Sequence, residues 1–503
     1  MKFVVREINA RTNWPQAYPE IHLIKNNWDD YAFKTTFTAI VKLSQTEEIE
    51  LGAVKILDYN YPVDSARTIL PETFRQLPSN YCSLGDGLDF YEKLSEIPES
   101  IRSEFLQRMN DAAFSDEIKK RFKDRPGFET SLLRSPSATA ALSYAKYLMN
   151  DIDFVQGSLA LTYTAIDGAN LNLEYKTDSV LDGRINAVIG YNGVGKTRLL
   201  ADIAHVSTSD GFSSDSSLAW KFGRFSDTDH RFPRTVAVSY SAFDSFDVPP
   251  ARAPIAWKSK EETRFGYYYS GLRKFNPTSD NDSSAVLKSV DERFEELKEL
   301  VKSIGGTEKL TQLTRAANIL FAEPSFRRLG IALEFYSESW GEEFLRLSSG
   351  HQISISILIH LSASLQVGSL VLLDEPETHL HPTLIAALMK ALQALLSDAK
   401  SYALIATHSP IVLQEIPAQQ IHIVRWAGGN REFVRPSRET FGEDLGVLTE
   451  DVFNLNADDS TFVGKLEQIS KSLSPKEIRD LFPLGVSSQA LAILMQNGVD
   501  FGA

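Results

Sequence analysis

The sequence predicts an α/β fold: a parallel-sheet core around a phosphate loop, with an antiparallel layer and a short helical lobe. An α+β layer precedes this core and a helical tail follows it. Three continuous apolar runs predict the sheet, namely Ile185–Ile189, Ser369–Leu373 and Ala403–Ala406. A run without polar alternation marks a strand buried on both faces, as in parallel sheets covered by helices. Each run also ends in residues able to do chemistry.

The first run leads into Gly190-Tyr191-Asn192-Gly193-Val194-Gly195-Lys196-Thr197, followed by Arg198-Leu199-Leu200 at a helix start. Strand, glycine-rich turn and helix are the context a phosphate loop needs. Its backbone N–H groups close around a β-phosphate, Lys196 reaches the β and γ oxygens, and the Thr197 hydroxyl ligates Mg²⁺. Gly190, Asn192, Gly193, Val194, Gly195, Lys196, Thr197 and Arg198 are therefore the candidate ATP-binding residues. The second run delivers Asp374-Glu375 at a strand end. Asp374 is placed to hold Mg²⁺ directly or through water, and Glu375 to polarise an attacking water. The third run ends in Thr407-His408-Ser409-Pro410, which puts an imidazole one strand further on.

Leu347-Ser348-Ser349-Gly350-His351-Gln352 stands shortly before the Asp-Glu run and opens an apolar helical stretch, Ile353 to Leu365. It resembles the Leu-Ser-Gly-Gly-Gln signature of ABC-type ATPases. That resemblance implies that Ser348, Ser349 and Gly350 bind the γ-phosphate held by a second copy, and that His408 is the switch histidine sensing that phosphate. ATP then joins a head-to-tail dimer, or a higher oligomer of dimers. Lys196, Glu375 and His408 become the catalytic set, with Thr197 and Asp374 on the metal.

Asp374-Glu-Pro-Glu-Thr-His-Leu-His-Pro382, with Ala406-Thr-His-Ser-Pro410, resembles the RecF, OLD and SMC-like group of ABC proteins. Ser239-Tyr-Ser-Ala-Phe-Asp-Ser-Phe246, Tyr269-Ser-Gly-Leu-Arg273 and Thr440-Phe-Gly-Glu-Asp-Leu-Gly-Val-Leu-Thr449 resemble the PtuA ATPases of Septu and retron anti-phage systems. That likeness implies a defence ATPase controlling a separate HNH nuclease of PtuB type, and contact with DNA or a retron ribonucleoprotein. The alternative it leaves is a RecF-like repair ATPase that binds DNA itself. His379 and His381 are expected at a dimer interface rather than on a metal. The signature departs from the common form at Ser349 and His351. No glutamine stands at the Q-loop place, for which Ser241, Asp244 and a water are the candidates.

Composition bounds the remainder. A chain of 503 residues, 43% hydrophobic, supplies two or three cores, and no apolar run is long enough to cross a bilayer. A single cysteine, Cys82, excludes an internal disulfide framework, and both features predict a cytoplasmic protein away from the membrane. A formal charge of -14 argues against a sequence-independent nucleic-acid coat. The basic residues Arg102, Arg108, Lys119, Lys120, Arg121, Lys123 and Arg125 interleave with Asp111, Asp116, Glu117 and Asp124, the pattern of a solvated helical face.

The expected organisation is an N-terminal layer over 1–150, a head over 151–435 with a helical lobe at about 280–345, and an appendage over 436–503. A hairpin is expected from Phe33–Leu43 and Ile49–Leu57, and helices from Ser100–Lys123 and Ser135–Met149. Leu159–Tyr163 and Leu171–Tyr175 are expected to open the head. An amphipathic helix is expected through Val286, Leu287, Val290, Phe294, Leu297, Val301 and Ile304, with another over Leu310–Phe321. Ser474-Pro-Lys-Glu477 is a capping box. The tail either docks a partner or packs on its own head. Neither the Cys pairs nor the His-rich pattern of many HNH nucleases occurs in the chain.

Overall fold

The computed structural model describes residues 1–7, 17–27, 33–60, 68–134, 136–149, 158–177, 180–181, 183–208, 219–226, 232–240, 267–274, 286–331, 333–337, 339–427, 430–453 and 461–501. Ser241 and Asp244 lie outside them. So does most of the stretch Ser239–Phe246.

The N-terminal sheet takes β1 (Lys2–Arg6), β2 (Glu20–Lys25), β3 (Thr36–Lys42), β4 (Glu48–Asp58), β5 (Thr73–Phe74) and β6 (Tyr81–Gly85), in the order β5-β1-β2-β3-β4-β6. The expected hairpin is β3–β4, antiparallel, with a register shift between Ala39 and Ile40. Phe3, Ile21, Leu23, Phe37, Ile56 and Cys82 form the buried face against the helices that follow. The single helix expected over Ser100–Lys123 is two helices, Glu99–Arg108 and Asp116–Phe122. Asp111 explains the break. Its Oδ1 accepts from the N–H groups of Ala113 and Phe114, and its Oδ2 accepts from the Tyr91 hydroxyl. A buried carboxylate binding the local backbone in this way competes with helix continuation.

Next come β7 (Leu159–Thr164), β8 (Asn170–Tyr175), β9 (Ile185–Ile189) and β10 (Arg224–Ser226); β10, β7 and β8 make a small antiparallel sheet. The central sheet adds β11 (Thr235–Ser239), β12 (Tyr267–Gly271), β15 (Leu370–Asp374), β16 (Tyr402–Thr407), β17 (Ile421–Ala427) and β18 (Asn430–Val434), while β13 (Arg273–Lys274) and β14 (Val286–Leu287) pair separately. Its order is β12-β11-β15-β16-β9-β17-β18, parallel throughout except for the final hairpin.

The continuous apolar runs are explained by two cores. Along β16, Ala403 and Ile405 face one core, while Tyr402, Leu404 and Ala406 face the other. The first core receives the helices Ser349–Ser364, Pro382–Asp398 and Glu308–Phe321; the second receives the helix Lys196–Thr208 and the antiparallel sheet. Parallel strands covered on both faces alternate between cores, not between core and water.

The lobe helix starts at Val290, later than expected, because Val286–Leu287 pairs as a strand and Ser289 caps the helix in a capping box with Glu292. Arg234, at the foot of β11, donates to the Ser364 carbonyl and pairs with Asp89 of the N-terminal layer. Asp89 also accepts from Gln366, near the foot of β15. Among the C-terminal helices, Leu448 and Val452 pack into the first core of the central sheet, whereas Leu466, Ile478, Leu494 and Val499 form a small core of their own. Ser474 and Glu477 make the expected capping box. No helix among the described residues is long and apolar enough to cross a membrane.

Candidate nucleotide site

The chemistry-bearing residues gather at the carboxyl ends of adjacent strands, where open parallel sheets bind ligands. Beyond β9 the phosphate loop turns through Gly193 at φ 82° and Gly195 at φ 87°, values that L side chains rarely adopt. Lys196 and Thr197 then begin their helix. Asn192 and Arg198 are exposed, and Val194 is buried. Arg198 Nε donates to Asp202 Oδ1 at 2.9 Å, one turn on.

Lys196 is 5% exposed. Its Nζ donates to the carbonyls of Gly190 (2.9 Å) and Tyr191 (3.2 Å). Burial pushes the ammonium below the usual lysine value, while Glu375, Asp374 and Glu377 act in the opposite direction. A cation confined this way gains from an anion in the loop.

Thr197 Oγ1 donates to Asp374 Oδ2 at 2.8 Å, joining residues 177 apart in sequence. A hydroxyl beside a carboxylate is a hard oxygen donor set and fits Mg²⁺, which takes one or two protein ligands and completes its shell with phosphate oxygens and water. No cluster of three or more His, Cys, Asp or Glu able to hold a metal occurs among the described residues.

Glu375 adopts φ 46°, a strained value for a side-chain-bearing residue. Two bonds hold it there: its N–H donates to the Ala406 carbonyl (2.8 Å), and its own carbonyl accepts from Thr378 (3.0 Å). The Glu375 carboxylate lies 3.2 Å from His408 Nδ1. Glu377, a residue of the motif without an expected role, ties the two loops together. Its Oε1 accepts from Thr407 Oγ1 (2.7 Å) and from the His408 N–H (2.8 Å). The signal was present in the sequence, a third acid two residues beyond the Asp-Glu pair.

Ser348, Ser349 and Gly350 belong to a separate set of contacts. Ser348 and Ser349 are exposed at the start of the signature helix. The Ser348 hydroxyl does not cap that helix; it bonds His351 Nδ1 at 2.8 Å. His351 Nε2 bonds Ser325 Oγ (2.7 Å), Ser325 donates to Glu323, and Glu323 accepts from Thr383 (2.7 Å). A Cβ on Gly350 would stand 2.9 Å from the His379 carbonyl, so the signature helix rests directly on the loop that follows Glu375. In that loop His379 takes φ 70° and His381 caps the next helix through Thr383.

A parallel sheet presenting a phosphate loop, an Asp-Glu pair and a histidine at neighbouring strand ends gives the chain an α/β fold with a P-loop, ABC ATPase-like core. Residues 185–414 match the family described as "AAA domain, putative AbiEii toxin, Type IV TA system". Protein ea59 of Escherichia phage lambda is 28% identical over 482 residues, covering 88% of each chain. Among solved structures, an ATP-binding cassette of an ABC transporter in its ADP conformation is 14% identical, covering 59% of this chain and 94% of its own, with a TM-score of 0.27. The SMC head domain from Thermotoga maritima is 12% identical, covering 56% and 100%, also at 0.27. For the RNase-L Inhibitor at 15% identity the coverages are 56% and 40%, with a TM-score of 0.28.

Proposed function

We propose that the chain is a Mg²⁺-dependent ATPase whose two copies enclose two ATP molecules and thereby control a separate effector nuclease in anti-phage defence. The observation that carries the ATPase reading is the Thr197–Asp374 hydrogen bond, because it joins the phosphate loop and the proposed metal-binding carboxylate at one point. Glu375 accepts a proton from water as its oxygen bonds to the γ-phosphorus. The bond to the β–γ bridging oxygen breaks, giving ADP and phosphate. His408, 3.2 Å from that carboxylate, orients the base and meets the γ-phosphate.

Ser348–Gly350 act on the partner's ATP, a role supported by the exposure of both serines. Residues 1–150 then form an accessory layer, 151–435 the head, and 436–503 a tail whose first helix packs on the head. Ser348→Arg is expected to leave ATP binding intact and to reduce hydrolysis at least about tenfold by placing a cation and bulk at the γ-phosphate contact. Mixing it with Lys196→Ala protein restores one working composite site per heterodimer. Mixed dimers without recovered turnover would show that each site is complete within one chain.

The defence setting is supported by the toxin and toxin–antitoxin wording of the matched family and by the phage origin of the curated relative. Phe462, Leu481, Leu484 and Met495 expose apolar surface on the tail, which supports it as the docking face. The purified chain is expected to hydrolyse ATP while leaving DNA and RNA uncut, and to co-purify with a nuclease encoded beside it. Metal-dependent cleavage by the homogeneous protein would overturn the regulator reading, and tight DNA binding without a nuclease partner would favour a repair ATPase.

A further inference from the structure

The hairpin β17–β18 runs past the end of the sheet and along the phosphate loop. The parallel register of β17 with β9 reaches Ile423 opposite Ile189, the last residue before the loop. From there the hairpin flanks the loop itself: the Val424 carbonyl lies 2.8 Å from the place a Cβ would occupy on Gly190. On the return strand Phe433 stands opposite Val424, and Arg431 opposite Trp426. Residues directly opposite share a face, as do residues two apart. Val424 packs in the same core as Val194 of the loop, so this face, Arg431 included, is turned toward the phosphate loop.

Arg431 reaches that loop. Its Nη1 lies 3.8 Å from the Cβ position of Gly195, the glycine just before Lys196. Its Nε is 2.9 Å from Asp167 Oδ2, in the turn between β7 and β8, and its guanidinium lies 5.6 Å from the Phe433 ring centroid. The side chain is 11% exposed. A guanidinium held by an ion pair on its Nε side keeps its terminal N–H fork for a second acceptor, and a bidentate fork suits phosphate oxygens. Lys196 serves the other end of the loop, at Gly190 and Tyr191. The two cations therefore bracket the loop's backbone amides.

We propose that Arg431, oriented by Asp167, is a second phosphate-binding cation of this site and contacts the α/β-phosphate side of a nucleoside di- or triphosphate. The proposal rests on the reading of the loop as a nucleotide site. It assigns Arg431 to affinity for the nucleotide, and Asp167 to positioning the guanidinium. Lysine cannot reproduce this arrangement, because one ammonium cannot pair with Asp167 on one side and present a planar fork on the other.

The test measures ATP and ADP affinity of the full chain together with steady-state hydrolysis. In Arg431→Gln protein the Kd for both nucleotides is expected to rise about tenfold, in line with loss of a charge-assisted contact. At saturating ATP, kcat is expected to stay within about twofold of wild type, and Arg431→Lys to recover only part of the affinity. Asp167→Asn keeps the arginine and is expected to raise KM about threefold at unchanged kcat, a split that a merely structural role would not give. Melting without nucleotide identifies a folding defect, and Asp167→Asn then decides. Unchanged affinity for both nucleotides in folded Arg431→Gln protein overturns the proposal, as does weakened ATP binding with unchanged ADP binding, which would move the contact to the γ-phosphate. Wild-type protein that binds neither nucleotide would remove the nucleotide reading itself, and the proposal with it.

Discussion

Glu375→Gln protein is expected to bind ATP normally and to hydrolyse it about 10²- to 10⁴-fold more slowly, the usual contribution of a general base. Glutamine preserves the size and most of the hydrogen bonding of glutamate, but it cannot take the proton of an attacking water. The backbone that holds position 375 does not depend on the carboxylate: its bonds run through the N–H to Ala406 and through the carbonyl to Thr378. The variant is therefore expected to keep its fold and the Thr197–Asp374 hydrogen bond. ATP is expected to accumulate uncleaved, and the paired form to persist on size-exclusion chromatography after ATP addition. Single-turnover measurements separate bond cleavage from product release. A normal rate in that assay would place the base elsewhere.

Lys196→Ala is expected to give the opposite behaviour, weakening ATP binding by at least about a hundredfold through loss of a buried charge-assisted contact. Lys196 is 5% exposed, and its ammonium has two carbonyls of its own loop as partners. Those acceptors carry only partial charge, whereas phosphate oxygens carry a full one. Lys196→Met keeps the apolar stem without the charge, so it guards against a cavity effect in the alanine variant. Both proteins should fail to retain a fluorescent ATP analogue by equilibrium titration and to pair on ATP addition. Wild-type affinity in either one would mean that the loop does not hold the β- and γ-phosphates.

The central sheet was legible in the sequence because a strand buried on both faces leaves no polar alternation. Ile185–Ile189, Ser369–Leu373 and Ala403–Ala406 overlap β9, β15 and β16 closely. What stayed hidden was set by contacts between distant residues. The break in the helix expected over Ser100–Lys123 depends on Asp111 turning its carboxylate onto local N–H groups inside a buried pocket shared with Tyr91. The late start of the helix expected from Val286 depends on the pairing of Val286 and Leu287 with Lys274 and Arg273. Neither partner is apparent from periodicity.

The site divides along the same line. The motifs announce Lys196, Thr197, Asp374, Glu375 and His408, and the structure brings Thr197 to Asp374 and Glu375 to His408. Glu377 lies inside the Asp374–Pro382 motif with no role of its own announced, and Arg431 carries no motif signal. The turn after Glu375 brings Glu377 to Thr407 and His408, and the β17–β18 hairpin returns Arg431 to the phosphate loop. His351, by contrast, appeared in the sequence as a departure from the common signature. In the structure it binds Ser348 on one ring nitrogen and Ser325 on the other, so the altered residue builds its own support.

Glu377 has a consequence for the timing of catalysis. One carboxylate oxygen receives both Thr407 Oγ1 and the His408 N–H, while the Glu375 N–H is fastened to Ala406. Glu375, the proposed base, and His408 thus share a single anchored frame within one chain. The conformational entropy of aligning them is lost once, during folding, and need not be lost again in each cycle. What ATP must organise is only the approach of the groups that this frame does not already hold.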